Sequence, residues 1–298
     1  MSELNDILQR LEPELGPLSG EPQPLRGGIT NRNYRAALGG EQFVVRLHGA
    51  RTQLLGIDRE AERRASDAAA KLGIAPPVAA SLPGCLVTRY VPCRALAPAD
   101  VAARAEEIAQ ALRAFHDSGV QLGHRFWVPE LLEDYERHLR ARGVEPGEDF
   151  AQAVAVARRI AHAIPLRDPR PCHNDLLAGN IICEPDAGRL LLVDWEYAGM
   201  GHRLFDLGNV AVNNEFDADA EQRLLSAYLG RPPDAGTRAG LKLMRVLSDV
   251  REAAWGALQT RISTLDFDFF AYARAHFERL HAAVAEPDFE EWLAAAPG

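Results

Sequence analysis

Between Cys172 and Gly208 the chain reads CHNDLLAGNIICEPDAGRLLLVDWEYAGMGHRLFDLG, and this stretch restricts what the rest can be. His173, Asp175 and Asn180 spell H-x-D-x4-N, and Asp194 follows the apolar run Leu190-Leu191-Leu192-Val193. Asn180-Ile181-Ile182-Cys183 and that run are separated by Glu184-Pro185-Asp186-Ala187-Gly188, which reads as a hairpin. The hairpin brings Asn180 and Asp194 to the same end. Phosphoryl transfer needs such a layout: one carboxylate for the substrate hydroxyl, then an amide and a second carboxylate for a metal on the nucleotide phosphates. Alone, H-x-D-x4-N arises by chance, and Asp175 could be a helix cap. Two oxygen ligands on two arms of one hairpin separate the pattern from coincidence.

At 298 residues the chain has room for one large or two modest domains and an ample core. No apolar run approaches the roughly 20 residues of a membrane span, and MSELNDILQR has no signal-peptide core. Cys85, Cys93, Cys172 and Cys183 form no C-x-x-C pair, so reduced thiols and a cytoplasmic location are expected. A formal net charge of −9 argues against a nucleic-acid surface and suits a cationic substrate. Lys71 and Lys242 are the only lysines, so a fixed cation in a site must be an arginine.

Leu4, Ile7, Leu8, Leu11 and Leu15 have helical spacing, ended by Gly16-Pro17. Arg26-Gly27-Gly28-Ile29-Thr30-Asn31 then leads into a hairpin that turns at Gly39-Gly40 into Phe43-Val44-Val45-Arg46-Leu47. Gly27 and Gly28 either make a turn or let backbone amides approach phosphate oxygens, with Thr30 and Asn31 as added donors. Arg46, in the middle of a strand, either faces solvent or serves as the cation that holds nucleotide phosphates. The second role calls for a carboxylate from the helix that ends near Leu72; Glu62 is preferred and Glu60 held in reserve. Cys85–Val91 reads as a strand, 99–118 as one long amphipathic helix, and 130–142 and 150–164 as two more. His116 is expected as a helix-end cation or a core residue, and Asp206 either caps the following helix or, preferred, braces the catalytic loop. The remainder is helical over 220–229, 238–260 and 267–285, and Trp255, Phe267, Phe269, Phe270 and Tyr272 are most simply core.

With these residues in place, the chain resembles the choline/ethanolamine kinase family, one of a group of small-molecule kinases that includes the aminoglycoside phosphotransferases. The resemblance runs from about Gly27 to Leu280 and is carried by CHND with Asn180, VDWEYAG, FDLGN and WGALQTRISTLDFDFFAYARAHFERL. It implies an α+β, two-lobed protein-kinase-like fold, with a small antiparallel-sheet nucleotide lobe over 1–91 and a larger, mainly helical lobe over 92–298. By resemblance Asp175 is the catalytic base, Asn180 and Asp194 are Mg²⁺ ligands, and Arg46 binds phosphate. Cys85–Val91 then stands where the lobes meet and adenine lies along the backbone, which adds Tyr90 to the nucleotide residues. Glu196 matches a family glutamate and joins the substrate set, and Trp255, Phe267 and Tyr272 match walls of an aromatic pocket for choline's trimethylammonium. Two positions depart from the family: Glu252 stands where the animal enzymes have tryptophan, and Asn213 where an acidic residue is expected. A carboxylate at 252 would serve a cation by charge and puts choline over ethanolamine in question. The implied cofactors are ATP and Mg²⁺, and the implied partner is a small cationic alcohol, choline first, with no nucleic acid or membrane. Ethanolamine, thiamine or an aminoglycoside are the nearer alternatives, and a pseudokinase that binds partners the farther one.

Overall fold

Alternation in EQFVVRL sets the architecture of the first 91 residues. In the computed structural model, which describes residues 3–25, 30–185 and 188–296, this segment is β3 (Glu41–Leu47) and buries Phe43, Val45 and Leu47 on one face. The five-stranded sheet also contains β1 (Leu18–Leu25), β2 (Arg32–Leu38), β4 (Val78–Leu82) and β5 (Cys85–Arg89), all antiparallel, in the order β1-β2-β3-β5-β4. The β2–β3 turn is Gly39-Gly40, both at positive φ (57° and 85°), as a two-residue hairpin turn requires. Helix α1 (Glu3–Leu15) lays Ile7, Leu8 and Leu11 on the face made by Phe43, Val45 and Val87. Helix α2 (Arg59–Lys71) starts at Asp58, whose carboxylate accepts from the Glu60 and Ala61 amides. Its Ala61, Ala65 and Ala69 join the larger core of the following residues, so this helix spans the junction between the two cores.

After β6 (Arg94–Ala95), the expected helix over 99–118 is two helices, α3 (Pro98–Ala103) and α4 (Ala105–His116). The break falls at Arg104, whose guanidinium turns to the Gly188 carbonyl (2.7 Å). Then come α5 (Val128–Arg140), α6 (Glu148–Ala163), β7 (Arg170–Cys172), β8 (Ile181–Cys183), β9 (Leu190–Leu192) and β10 (Gly199–Gly201). The anticipated hairpin is β8–β9, extended by β6, while β7 pairs with β10. Helices α7 (Arg203–Asn213), α8 (Ala218–Leu229), α9 (Ala235–Ile262), α10 (Phe269–Ala285) and α11 (Asp288–Ala295) complete the chain.

The 28-residue α9 is buried all round and packs against α5, α6, α7, α10 and α11. Its contact with α7 leaves no room for a side chain at Gly208, where a Cβ would lie 2.6 Å from the Met244 backbone. Of the aromatics read as core, Trp255 and Phe269 are buried. Phe267 (41 % exposed) and Phe270 (70 % exposed) are not, because they flank the start of α10 on its outer side. Among the described residues no helix is long and apolar enough to cross a membrane, and all four cysteines are free.

Candidate active site

The loop after β7 carries H-x-D-x4-N and is suspended from α7. Asp206, fully buried, accepts the amide N–H groups of His173 (2.8 Å) and Asn174 (2.7 Å) through its two oxygens. His116 adds a third bond to Asp206 through Nε2 (2.9 Å) and reaches the Tyr228 hydroxyl through Nδ1 (2.8 Å), which makes it a core residue. One turn on, Asn209 accepts the Leu176 amide (2.5 Å), and Asn214 donates to the Leu176 carbonyl (3.0 Å). The Asp and Asn of FDLGN are thus the hooks that hold the loop backbone. Asn174 takes φ 67°, a left-handed conformation retained under these bonds.

The fully buried His173 donates from Nε2 to the Val193 carbonyl (3.0 Å) and accepts the Asp175 amide at Nδ1 (3.3 Å). Burial pushes its pKa down and keeps the ring neutral. Asn180 donates to Asp175 Oδ2 (3.0 Å) and to the Asp175 carbonyl (2.8 Å), while the Val193 amide bonds the Asn180 carbonyl (2.9 Å). That last bond places Asn180 beside the residue before Asp194. Asp194 also has a left-handed backbone, φ 64°. Burial drives the Asp175 carboxyl up to about 7; Arg251 opposes the rise, and Glu252 and Asp194 add to it.

Arg46 lies on the half-buried face of β3 and points into the cleft between the sheet and the hairpin. Its Nη1 meets Glu62 Oε1 at 3.0 Å and Asp194 Oδ1 at 2.7 Å. Burial alone would lower its pKa; Asp194 and Glu62 outweigh that and raise it. Glu62 is the partner rather than Glu60, which pairs with Arg63 and Arg64 on the outer face of α2. The charges continue in alternation: Arg59 Nη1 bonds Glu62 Oε2 (2.8 Å) and Glu196 Oε2 (3.2 Å). Asn31 donates to Glu196 Oε2 (2.8 Å) and accepts from Arg59 (3.1 Å) and the Gly49 amide (3.2 Å). Burial and Asp194 push the Glu196 carboxyl up to about 8, against the pull of Arg59.

Behind Asp175, α9 and α10 form an aromatic cluster. Trp255 donates its indole N–H to the Tyr197 hydroxyl (2.7 Å), and its ring centroid lies 5.5 Å from Tyr272 and 5.7 Å from Phe269. Phe267 stands 5.9 Å from Tyr272 at the open rim. Glu252 takes the Tyr272 hydroxyl on Oε2 (2.8 Å) and Arg251 on Oε1. The Arg251 guanidinium covers one face of Tyr197 at 4.2 Å.

A family model described as the phosphotransferase enzyme family matches residues 21–243. The chain belongs to this family. Mouse ethanolamine kinase 2 is 28 % identical over 310 residues, 92 % of this chain and 78 % of that protein. Rat choline/ethanolamine kinase is 26 % identical over 313 residues, 86 % and 78 %. A choline/ethanolamine kinase family protein from Mesorhizobium loti superposes with a TM-score of 0.81 at 29 % identity, over 98 % of both chains. The choline kinase LicA of Streptococcus pneumoniae shares the fold at a TM-score of 0.80 and 24 % identity, over 95 % of this chain and 99 % of that one.

In this phosphotransferase the anticipated residues fall into two groups. Arg46, Glu62 and Asp194 share ion pairs, Asn31 joins them through Arg59, and Asn180 and Asp175 bond each other beside them, tied to the Asp194 strand by the backbone bond from Val193 to Asn180. Glu252, Trp255, Phe267 and Tyr272 form the second. Glu196 was grouped with the second but belongs beside Asn31 and Arg59, because the short helical turn after Asp194 aims it toward α2. Glu252 is buried with both oxygens engaged, so it has no free edge for an ammonium. Thr30 lines a cavity at the lobe junction, and Gly28 lies outside the described residues. The Tyr90 amide already donates to the Gln42 carbonyl (2.9 Å), and Arg35 covers its ring. Asn213 ends α7 with a buried amide nitrogen that finds no partner. Motif spacing pointed to none of Arg59, Asn209, Asn214 and Arg251. The available signals are the N-terminal position of Arg59 on α2, three residues before Glu62, and the place of Asn209 in FDLGN.

Proposed function

We propose that this phosphotransferase is a kinase that moves the γ-phosphoryl group of ATP, with Mg²⁺, to the hydroxyl of a small cationic amino alcohol, choline first. The observation that carries the reading is Asp175: buried, steadied by Asn180 at 3.0 Å and raised to about 7, it is poised to gain a proton near neutrality. As the acceptor oxygen bonds to phosphorus and the β–γ bridging oxygen leaves with its electron pair, the hydroxyl proton passes to Asp175. Nucleotide would lie between the 1–91 and 92–298 lobes, along Tyr90 and near Thr30 and Asn31. Arg46 would exchange Asp194 for phosphate oxygens.

Asn180 and Asp194 fit a hard divalent cation. The Asn180 nitrogen is occupied by Asp175, which leaves its amide oxygen for a cation, the backbone bond from Val193 to Asn180 brings this residue near Asp194, and an all-oxygen set suits Mg²⁺. Such a cation would supply neutralisation of phosphate charge.

Two observations bear on the acceptor. The carboxylate nearest the aromatic cluster is already paired, while the rings of Phe267 and Tyr272 stand near the rim, which supports a methylated ammonium. The relatives named as ethanolamine kinases support a primary ammonium as the second reading. Free thiols at all four cysteines support a cytoplasmic setting. ADP release in a coupled assay over choline, ethanolamine, thiamine and an aminoglycoside, with and without Mg²⁺, tests the proposal. Metal-dependent turnover should be highest in kcat/KM with choline. A tenfold lead for ethanolamine would move the acceptor, and no turnover above ATP alone would favour a nucleotide-binding partner module.

A further inference from the structure

Arg251 heads the largest side chains that are fully enclosed by the fold, at 2 % exposure. A buried guanidinium is tolerated only where carboxylates balance it, and here it has two. Nη1 contacts Asp175 Oδ1 at 3.4 Å and Glu252 Oε1. The loop from His173 to Asn180 contains no lysine or arginine, so the cation at Asp175 is delivered from α9, 76 residues later. The two Asp175 oxygens are therefore steered separately, Oδ2 by Asn180 at 3.0 Å and Oδ1 by Arg251.

Arg251 is held at Nη1 and on one face of its guanidinium, while Nε and Nη2 are buried without a hydrogen-bond partner. Its flat group lies 4.2 Å from the Tyr197 ring, and the Tyr197 hydroxyl is fixed by the Trp255 indole at 2.7 Å. Glu252, on the other side, is fixed by the Tyr272 hydroxyl at 2.8 Å. Each neighbour of the guanidinium is thus held by a second residue, and a side chain so restrained can orient what it touches.

We propose that Arg251 is the positioning residue for Asp175, holding the carboxylate so that it faces the acceptor hydroxyl, and that Glu252 serves to seat Arg251 rather than to bind the acceptor's cation. The proposal rests on Asp175 being the base of the reaction set out above. It also accounts for Glu252 being closed to an ammonium while lying beside an aromatic pocket.

Steady-state kinetics on Arg251→Met, Arg251→Lys, Glu252→Gln and the double variant Arg251→Met/Glu252→Gln, with melting and nucleotide titration beside them, tests this. Loss of orientation should lower kcat by about 10²-fold, the lower end of what a positioned base contributes. The acceptor KM and the nucleotide affinity should stay within threefold. Arg251→Lys should recover at least tenfold of the loss, because an ammonium restores a donor to Asp175. The double variant removes the Glu252 charge together with that of Arg251, so it reads the role even if Arg251→Met alone fails to fold. It should remain as slow as the loss of Arg251 predicts. Parental kcat in the double variant would overturn the proposal, since Arg251 would then only neutralise Glu252. A raised acceptor KM with kcat within threefold would also overturn it, making Arg251 a wall of the acceptor pocket. A wild-type protein that phosphorylates no amino alcohol would sink the kinase reading, whereas an active wild type beside an equally active Arg251→Met sinks only this inference.

Discussion

Replacing Asp206 by alanine should slow the enzyme and soften it together. The carboxylate accepts three bonds from fully buried partners, at 2.8, 2.7 and 2.9 Å. Truncation leaves the His173 and Asn174 amides and the His116 ring without an acceptor in a site that water does not reach. Each orphaned donor costs about 1–3 kcal/mol. Because the loop can relax and share the loss, the total should be about 3–6 kcal/mol. For a chain of this length about 2 °C is lost per kcal/mol, so Tm should fall by roughly 6–12 °C. The kinetic effect follows from Asn174. Its left-handed backbone (φ 67°) is disfavoured by roughly 1 kcal/mol and is held by one of the lost bonds. Once freed, it relaxes and swings the next residue, Asp175, away from Asn180. We expect kcat to fall at least about 10²-fold, with nucleotide affinity nearly unchanged because the Arg46–Glu62 pair is untouched. Differential scanning fluorimetry and a coupled ADP assay read the two effects. A variant that melts within 2 °C of the parent and turns over within threefold of it would refute Asp206 as the brace.

Asp175→Asn should lose about 10²–10⁴-fold in kcat while nucleotide still binds; turnover within threefold of the parent removes Asp175 from the base role. Asp194→Ala and Asn180→Ala should both raise the Mg²⁺ concentration needed for half-maximal rate, the aspartate change more, because the cation is held chiefly through charge. An unchanged metal titration for the Asp194 variant argues against the assignment. Glu62 sits below the ordinary glutamate value of 4.5: burial alone would raise it, but Arg46 and Arg59 outweigh that. A carboxyl depressed in this way stabilises the fold above pH 4.5 and loses that contribution as the pH falls below it. Glu62→Gln should therefore cost about 3–5 kcal/mol near neutrality and flatten the acid side of the stability curve. Melts between about pH 6 and 3 that keep the parental slope would count against it.

The parts legible in the sequence are those whose partners are near in the chain. Asn180 and Asp194 flank one hairpin, and Glu62 follows Arg46 by 16 residues, so strand and helix periods were enough to align them. Arg251 was out of reach because its carboxylate is 76 residues away, and an arginine in a helix resembles a solvated charge until both faces of that helix are known to be covered. Asn209 stands in FDLGN beside Asp206, but an asparagine inside a helix shows no partner until α7 is packed under the loop whose Leu176 amide it accepts. Strand β1, LSGEPQPL, carries two prolines and a glycine and shows no alternation; it is an edge strand, where a missing N–H is tolerated. The break at Arg104 escaped notice because Val101, Ile108, Leu112 and Phe115 keep one apolar stripe across it. Phe267 and Phe270 were assigned to the core from their spacing, but α10 begins only at Phe269, so one precedes the helix and the other lies on its outer face.

The close seat of Gly208 on α9 has a consequence for how such a protein can diverge. The residues that hold the catalytic loop are sealed into the α7–α9 contact, where a single added methyl group has nowhere to go. Phe267 and Phe270 stand outside that contact and are exposed, so substitutions there leave the sealed packing undisturbed. Mutational tolerance is therefore unequal along the C-terminal half. On the proposed reading, new acceptors can be explored at the Phe267 rim by drift, one residue at a time, while the packing at Gly208 is inherited as a block.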